Sequence, residues 1–308
     1  MRPYLEEAVY SVLKQSVDSK EYEVIIITCF EHPFFDSIRR ANVRIVTVDG
    51  TNGPVNLISV GIKESKGEIL CFLDDDDIFD FNKLKIIREI FKSYPTVGFI
   101  HNAFKLINKN DVEKKNHKGQ IKYKHPKLDF VVRNGDVYTK FRKIVDNNGL
   151  INASSMSVRK EAVESIGGRV LDLPGNYDGF IFYVCATSNF DMYFSSEYLT
   201  SYRIHNKNNS KPETYQGLLY YLSRLAKSAA MLDLYLSTNK HTIGHPELIY
   251  YSAKRKVAIG EEKPTISELT DLFRTFVIYG IFAYFTMLII YLIYLVAGVS
   301  YYKASYKM

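Results

Sequence analysis

Residues Ser65–Leu84 read SKGEILCFLDDDDIFDFNKL. Within them, Glu68–Leu73 is an apolar run of the kind that forms a strand buried on both faces. Gly67 ends the helix predicted over 55–65 just before it. The run passes directly into four carboxylates, Asp74, Asp75, Asp76 and Asp77. Adjacent negative charges repel one another unless a cation is present, and in open α/β sheets ligands bind at the carboxyl ends of strands. Hard cations such as Mg2+ or Mn2+ take carboxylate oxygens and keep positions open for phosphate oxygens. The competing interpretation is a solvated acidic turn capping the helix that begins near Phe81.

On the N-terminal side of this stretch, residues 3–17 put Leu5, Ala8, Val9, Val12 and Leu13 on one helical stripe, with Pro3 in the first turn. Glu23–Thr28 (EVIIIT) and Val43–Val48 are two further β-rich runs. Downstream, Leu84–Lys92 predicts a helix and Val97–His101 a strand, with further short strands at Ala153–Val158 and Tyr193–Tyr198. Strands alternating with helices imply an α/β fold with a doubly wound, mostly parallel sheet. The chain opens on a helix, whereas a doubly wound nucleotide-binding unit starts with a strand. Either the true start lies upstream of Met1 or the gap is filled by other means. Residues 108–148 form a polar, basic excursion, expected on the acceptor side. Residues 213–236 are a strong helical pattern with Leu218, Leu219, Leu222, Leu225, Ala229 and Leu232 on one face. Residues 239–266 form a polar connector containing Pro246 and Pro264.

Composition narrows the function classes. The 308 residues are 46% hydrophobic and 24% charged, with 24 Tyr, 19 Phe and no Trp, which excludes global disorder. The net charge of +6 is dispersed, with no basic stripe interleaved with aromatics, so nucleic acid is not expected as a partner. A small basic excess suits anionic nucleotide diphosphates and an anionic lipid surface. Cys29, Cys71 and Cys185 show neither metal-ligand spacing nor a disulfide framework, which fits a reducing compartment. Residues 1–20 carry charges throughout and form no signal peptide.

Thr275–Val299 reads TFVIYGIFAYFTMLIIYLIYLVAGV, with no charge in 25 positions. A helix of that length rises about 37 Å, against a hydrocarbon core of about 30 Å, so one C-terminal transmembrane helix is expected. Lys254, Arg255, Lys256, Lys263 and Arg274 precede it, whereas Lys303 and Lys307 follow. That bias predicts a single-pass protein of the cell membrane with its preceding domain in the cytoplasm. A buried core helix is the alternative.

The segment Ser65–Leu84 resembles the metal-binding stretch of family 2 glycosyltransferases, which have the GT-A fold. There a Gly-Glu pair leads into an apolar strand, an Asp-x-Asp-Asp group, a short apolar piece and Lys-Leu. Ser65, Gly67, Glu68, Leu73, Asp74, Asp76, Asp77, Lys83 and Leu84 fit, while Phe81 stands where the family usually has Pro. Arg2, Tyr4-Leu5, Ala8, Ser11-Val12-Leu13 and Gln15 are similar to the family's first helix. Ser157–Lys160 followed by Ile166–Gly168 is similar to its acceptor-side segment, and Leu199–His205 (LTSYRIH) to its closing motif. The likeness spans roughly residues 1–210. Together with the C-terminal span it also resembles archaeal members of the family.

The resemblance implies a metal-dependent, inverting glycosyltransferase. Asp74 and Asp75 would approach the nucleotide ribose and diphosphate, and Asp76 would ligate Mn2+ or Mg2+. His205 would be a second metal ligand, since neutral imidazole suits Mn2+. Arg203 would pair with the diphosphate or an acidic neighbour, its fork suiting phosphate oxygens. The catalytic base is an Asp about 25 residues before the closing motif. Asp178 holds that place, with Tyr177 in place of the usual Glu, and Asp172 and Asp191 are rivals. The family's acidic turn after its second strand is replaced by Thr28-Cys29-Phe30-Glu31, with Glu31 or Asp49 as candidate substitutes. Ser59 replaces an Asn ahead of Gly61-Ile62.

These features predict a nucleotide-sugar-binding half over 1–100 with its first strand missing, and an acceptor-binding half over 101–210. A helical connector (211–270) and the transmembrane helix (275–299) follow. The expected partners are a nucleotide-diphosphate sugar, a glycan or lipid-linked acceptor and membrane lipid. One alternative is a nucleotidyltransferase on a similar fold, which wants a Gly-rich phosphate loop that is absent. The other is an inactive or truncated relative acting as a membrane partner.

Overall fold

The computed structural model describes residues 3–39, 42–49, 53–110, 125–134, 143–144, 147, 152–164, 177–205, 214–238, 265–279, 287–289 and 292. The chain divides into two compact units, Met1–Asp172 with Tyr177–His205, and Leu173–Asn176 with Asn206–Met308.

In the first unit, helix α1 (Leu5–Leu13) buries Leu5, Ala8 and Val9. Strand β1 (Val24–Thr28) is built from β-branched residues whose restricted χ1 suits the pleated sheet. It pairs in parallel with β2 (Val43–Thr47), Val24 opposite Val43 through Thr28 opposite Thr47. Helix α2 (Phe34–Ile38) lies between these strands in sequence. Its Phe34, Phe35 and Ile38 share one apolar core with Leu5, Val9, Val24 and Val43. Helix α3 (Gly53–Glu64) follows β2 and packs on β1.

The main sheet has six strands: β3 (Ile69–Cys71), β4 (Ile78–Phe79), β5 (Val97–Ile107), β6 (Phe130–Val132), β7 (Met156–Arg159) and β8 (Asp191–Arg203). Their order is β3-β7-β5-β8-β4, with β6 also on β8. Among the described residues of this sheet only β5 and β8 pair in parallel; the β3–β7, β5–β7, β4–β8 and β6–β8 ladders are antiparallel. The mostly parallel sheet expected from the sequence is therefore corrected to a mixed one. The reason is β7, which inserts between β3 and β5 and opposes both. Alternation along the chain does not reveal such an insertion, and β4 and β6 are too short to carry a pattern. Helices α4 (Lys83–Ser93), α5 (Lys160–Glu164) and α6 (Tyr177–Thr187) complete the unit.

β5 is the core strand, its first eight residues all buried. β8 runs beside it for 13 residues and carries a bulge: Asn102 faces Ser195, Ala103 faces Tyr198 and Phe104 faces Thr200. The bulge is braced by Asp129, whose carboxylate accepts from the Ser196 amide and hydroxyl at 2.7 Å each and from the Tyr193 hydroxyl at 2.5 Å. Bulges re-aim a strand. Beyond this one, β8 pairs with β4 and ends at Arg203.

In the second unit, α7 (Tyr215–Thr238) buries Leu218, Leu222 and Leu225, part of the expected apolar face. Helix α8 (Ile266–Tyr279) starts on a capping box. Thr265 Oγ1 accepts from the Glu268 amide at 3.2 Å, and Glu268 accepts from the Thr265 amide at 2.8 Å. No helix among the described residues is long and apolar enough to cross a membrane. Of the expected span Thr275–Val299, only the end of α8, residues 287–289 and residue 292 are described. Most of 108–148, the connector 239–264, Arg2 and Ile166–Gly168 lie outside the described residues.

Candidate active site

The chain leaves β3 at Cys71 and enters the acidic run three residues later, at Asp74. Carboxylate oxygens of Asp74, Asp76 and Asp77 lie within 4.8 Å of one another. The run is no solvated turn, because Asp77 is only 1% exposed. One Asp77 oxygen accepts from the Arg203 amide at 2.8 Å, while the other is buried with no hydrogen-bond partner. A buried orphan carboxylate oxygen is costly unless something satisfies it. An all-oxygen set with one such oxygen fits a hard divalent cation.

A buried polar floor holds this loop. Ser154, in a 3-10 turn (Ala153–Ser155) before β7, accepts from the Asp74 amide at 3.0 Å through Oγ. Its carbonyl accepts from Lys83 Nζ at 2.6 Å and from the Thr200 hydroxyl at 3.1 Å. Lys83 Nζ also donates to Thr200 Oγ1 at 2.9 Å and lies 3.9 Å from the Phe79 ring centroid. Burial pulls the Lys83 ammonium down to about 7, against the support of Cys71 and Asp77. Burial pushes Asp74 up to about 7, opposed by a hydrogen bond from Tyr177 and reinforced by Asp76, Asp178 and Asp75. Burial, with Asp74 and Asp76 beside it, raises Asp77 well above the usual carboxylate range. Such groups ionise readily only beside a cation.

The end of β8 closes the site. His205 Nε2 is 2.9 Å from Asp76 Oδ2, so the two residues expected to share a metal stand side by side. Arg203 is 0% exposed. Its Nε donates to the Asp76 carbonyl at 2.8 Å, one Nη to the Asn108 carbonyl at 3.2 Å and the other to Glu7 Oε2 at 2.8 Å. Glu7 is thus an acidic neighbour of the kind expected for Arg203. Asp75 is part-buried within the same run.

Helix α6 brings the third element. Tyr177 and Asp178 form its first turn, where a carboxylate also suits the helix dipole. The Tyr177 hydroxyl donates to Asp74 Oδ1 at 2.6 Å, tying α6 to the acidic loop. Asp178 Oδ1 accepts from the Gly179 amide at 2.9 Å. Burial raises the Asp178 carboxyl, and backbone amides partly offset the rise. Its rival Asp191 begins β8, at the opposite end of that strand from Arg203, and is held there by Thr96, Arg133 and the Asn134 amide. Asp172 lies outside the described residues. Glu31 and Asp49 are exposed beyond the C-terminal ends of the paired strands β1 and β2.

Sequence reasoning passed over Asp77 as a donor, Glu7, Ser154 and the Tyr177–Asp74 bond. Tyr177 carried a signal, standing in the place of the family's Glu. Asp77 carried one too, as the last member of the acidic run, whereas Glu7 and Ser154 did not, since long-range contact decides them.

The family model described as "Glycosyl transferase family 2" matches residues 2–167. A Haemophilus influenzae protein named "Uncharacterized glycosyltransferase" is 23% identical over 244 residues, covering 77% of this chain and 78% of that protein. Among solved structures, Staphylococcus aureus TarS 1-349 in complex with UDP-GlcNAc is similar with a TM-score of 0.54 at 15% identity, over 94% of this chain and 87% of that one. Mannosyltransferase PcManGT from Pyrobaculum calidifontis, in complex with GDP-Man and Mn2+, has a TM-score of 0.53 at 13% identity, over 97% and 82%. At these identities the two structures share the fold with this chain.

Proposed function

Since the chain belongs to glycosyltransferase family 2 and is a glycosyltransferase, we propose that it moves a sugar from a nucleotide-diphosphate donor to an acceptor hydroxyl, with inversion at the anomeric carbon. Membership of this family sets aside a nucleotidyltransferase. The observation that carries the proposal is the acidic loop: three carboxylates converge within 4.8 Å at the end of β3, with Asp178 on α6 linked to them through Tyr177. The UDP-GlcNAc and GDP-Man held by the structural neighbours support a nucleotide sugar as the donor class.

In this scheme the acceptor oxygen attacks the anomeric carbon opposite the diphosphate. The new C–O bond forms as the bond to the diphosphate oxygen breaks. The acceptor proton passes to Asp178, whose raised affinity for protons suits a general base, and the nucleoside diphosphate leaves. Asp74, Asp76 and Asp77, with His205 beside Asp76, would hold a divalent cation. When bound, that ion supplies positive charge to the leaving diphosphate. Asp75 is left for the nucleotide.

The uncharged stretch Thr275–Val299 supports attachment to a bilayer. So do Ile266, Phe273 and Val277, which stand exposed at helical spacing on α8. The basic residues preceding that stretch support a cytoplasmic catalytic unit. The acceptor would then be a membrane-proximal glycan or a lipid-linked one.

The test is isothermal titration of detergent-solubilised protein with UDP and with GDP, with and without Mn2+, for the parent chain and Asp76→Asn. Mn2+-dependent nucleotide binding that the substitution abolishes, together with loss of transfer, is the expected result. Full binding and turnover by Asp76→Asn would sink the metal assignment.

A further inference from the structure

Helix α1 presents two different faces. Leu5 and Val9 face the apolar core with β1 and β2, and Ala8 beside them is buried. Tyr4, Glu7, Ser11 and Gln15 recur at helical spacing, and all four touch the acidic loop, its exit or the strand that closes it. Ser11 Oγ accepts from the Phe79 amide at 3.0 Å. Gln15 donates to the Asp80 carbonyl at 2.7 Å and accepts from the Leu84 amide at 2.9 Å. Tyr4 lies against Arg203, whose guanidinium carbon is 4.2 Å from the ring centroid, and its ring is 5.3 Å from that of His205. Glu7 forms the ion pair with Arg203.

Arg203 is a permanent positive charge, fully buried, directly bonded to the backbone of Asp76 and through its amide to Asp77. An uncompensated cation at that place would repel a metal ion held by the same two aspartates. Among the described residues Glu7 is a carboxylate that pairs with it, at 2.8 Å, and it is itself 48% exposed on the side chain.

We propose that Glu7 is a positioning residue for the metal site. It acts through Arg203, by neutralising the guanidinium and holding its fork so that Asp76 and Asp77 keep the spacing a divalent cation needs. Tyr4 shares the task by covering a face of the guanidinium and flanking His205. This inference rests on the metal-dependent reading above and adds a residue from the far end of the chain, 196 positions from its partner. Groups that orient metal ligands cost about 10- to 100-fold in metal affinity when lost.

The experiment is titration of Mn2+ in the presence of saturating UDP or GDP, using the full chain, Glu7→Gln, Glu7→Asp and Asp76→Asn, with thermal unfolding of each. Glu7→Gln should weaken Mn2+ binding about tenfold or more while its Tm stays near that of the parent chain. Its transfer activity should recover at saturating Mn2+, and Glu7→Asp, which keeps the charge, should fall between the two. Unchanged Mn2+ affinity in folded Glu7→Gln and Glu7→Asp overturns the proposal and leaves the metal reading intact. A lowered Tm with unchanged Mn2+ affinity also overturns it, by assigning Glu7 to folding alone. Nucleotide binding by the parent chain that ignores Mn2+ overturns both this proposal and the metal reading beneath it.

Discussion

Asp178 and Tyr177 sit next to each other in sequence and play different parts. Tyr177 reaches the acidic loop with its hydroxyl, 2.6 Å from Asp74, while Asp178 keeps an elevated proton affinity beside it. Asp178→Asn removes the proposed base yet retains a side chain of the same size that can still accept from the Gly179 amide. It should lower kcat by about 100-fold or more and leave Mn2+-dependent nucleotide binding intact, as read by single-turnover transfer and calorimetry. Wild-type kcat in this variant would return the base assignment to Asp172. The carboxylates of this site were legible in the sequence, because four adjacent charges directly after a buried strand repel one another strongly unless a cation joins them. The state of each one was not. Asp77 differs from Asp75 only in being sealed by β8, whose closing residue lies 126 positions later.

Helix α6 escaped sequence reasoning and β8 was read too short, both for reasons that lie in their packing. α6 buries every residue from Gly179 to Ala186. A helix covered on all sides needs no polar face and so shows no amphipathic period. β8 extends well past the predicted Tyr193–Tyr198 because the bulge at Ser195–Tyr198 breaks the two-residue alternation. Close packing between strand and loop also leaves Gly98 of β5 no room for a side chain: a Cβ there would meet Phe190 Cβ and Cγ at 2.5 Å each. Gly98→Ala should therefore destabilise the fold by about 1–3 kcal/mol, measured as a shift in denaturant midpoint at constant m-value. A neutral result would mean that Phe190 moves aside freely.

Across the molecule, the proposed metal site sets proton binding against cation binding at the same carboxylates. Burial raises Asp74 to about 7 and Asp77 well above its ordinary value, so the folded chain holds protons there that the unfolded chain has released. Below that range a cation must displace those protons, and above it the cation meets free carboxylates. The rise in Tm on adding Mn2+ should grow as pH is raised from about 5 to about 8. Buried His101, held down to about 3, and Lys83, held down to about 7, also tilt stability with pH. His101 stays neutral through this window with and without the ion, while Lys83, supported by Asp77, loses its proton across it and so removes a charge that opposes the ion, in the same direction as the aspartates. Scanning calorimetry in chelator and in Mn2+ at several pH values measures the rise, and a shift that does not depend on pH would remove the aspartates as the binding groups.

Local pattern alone was enough for β1, β2, β3, α1, α3, α4 and α7, because each combines a period with a boundary residue that one short segment can display. It was also enough to single out Asp74–Asp77 as a candidate site, since charge density and strand-end position are properties of adjacent residues. The mixed direction of the sheet came only from tertiary structure, through the insertion of β7 between β3 and β5, which no local signal encodes. The same holds for the sealing of Asp77 by β8 and the pairing of Arg203 with a glutamate on α1. These depend on contacts between residues far apart in the chain. Their free energy comes from desolvation and charge pairing, which exist only once the chain has closed around them.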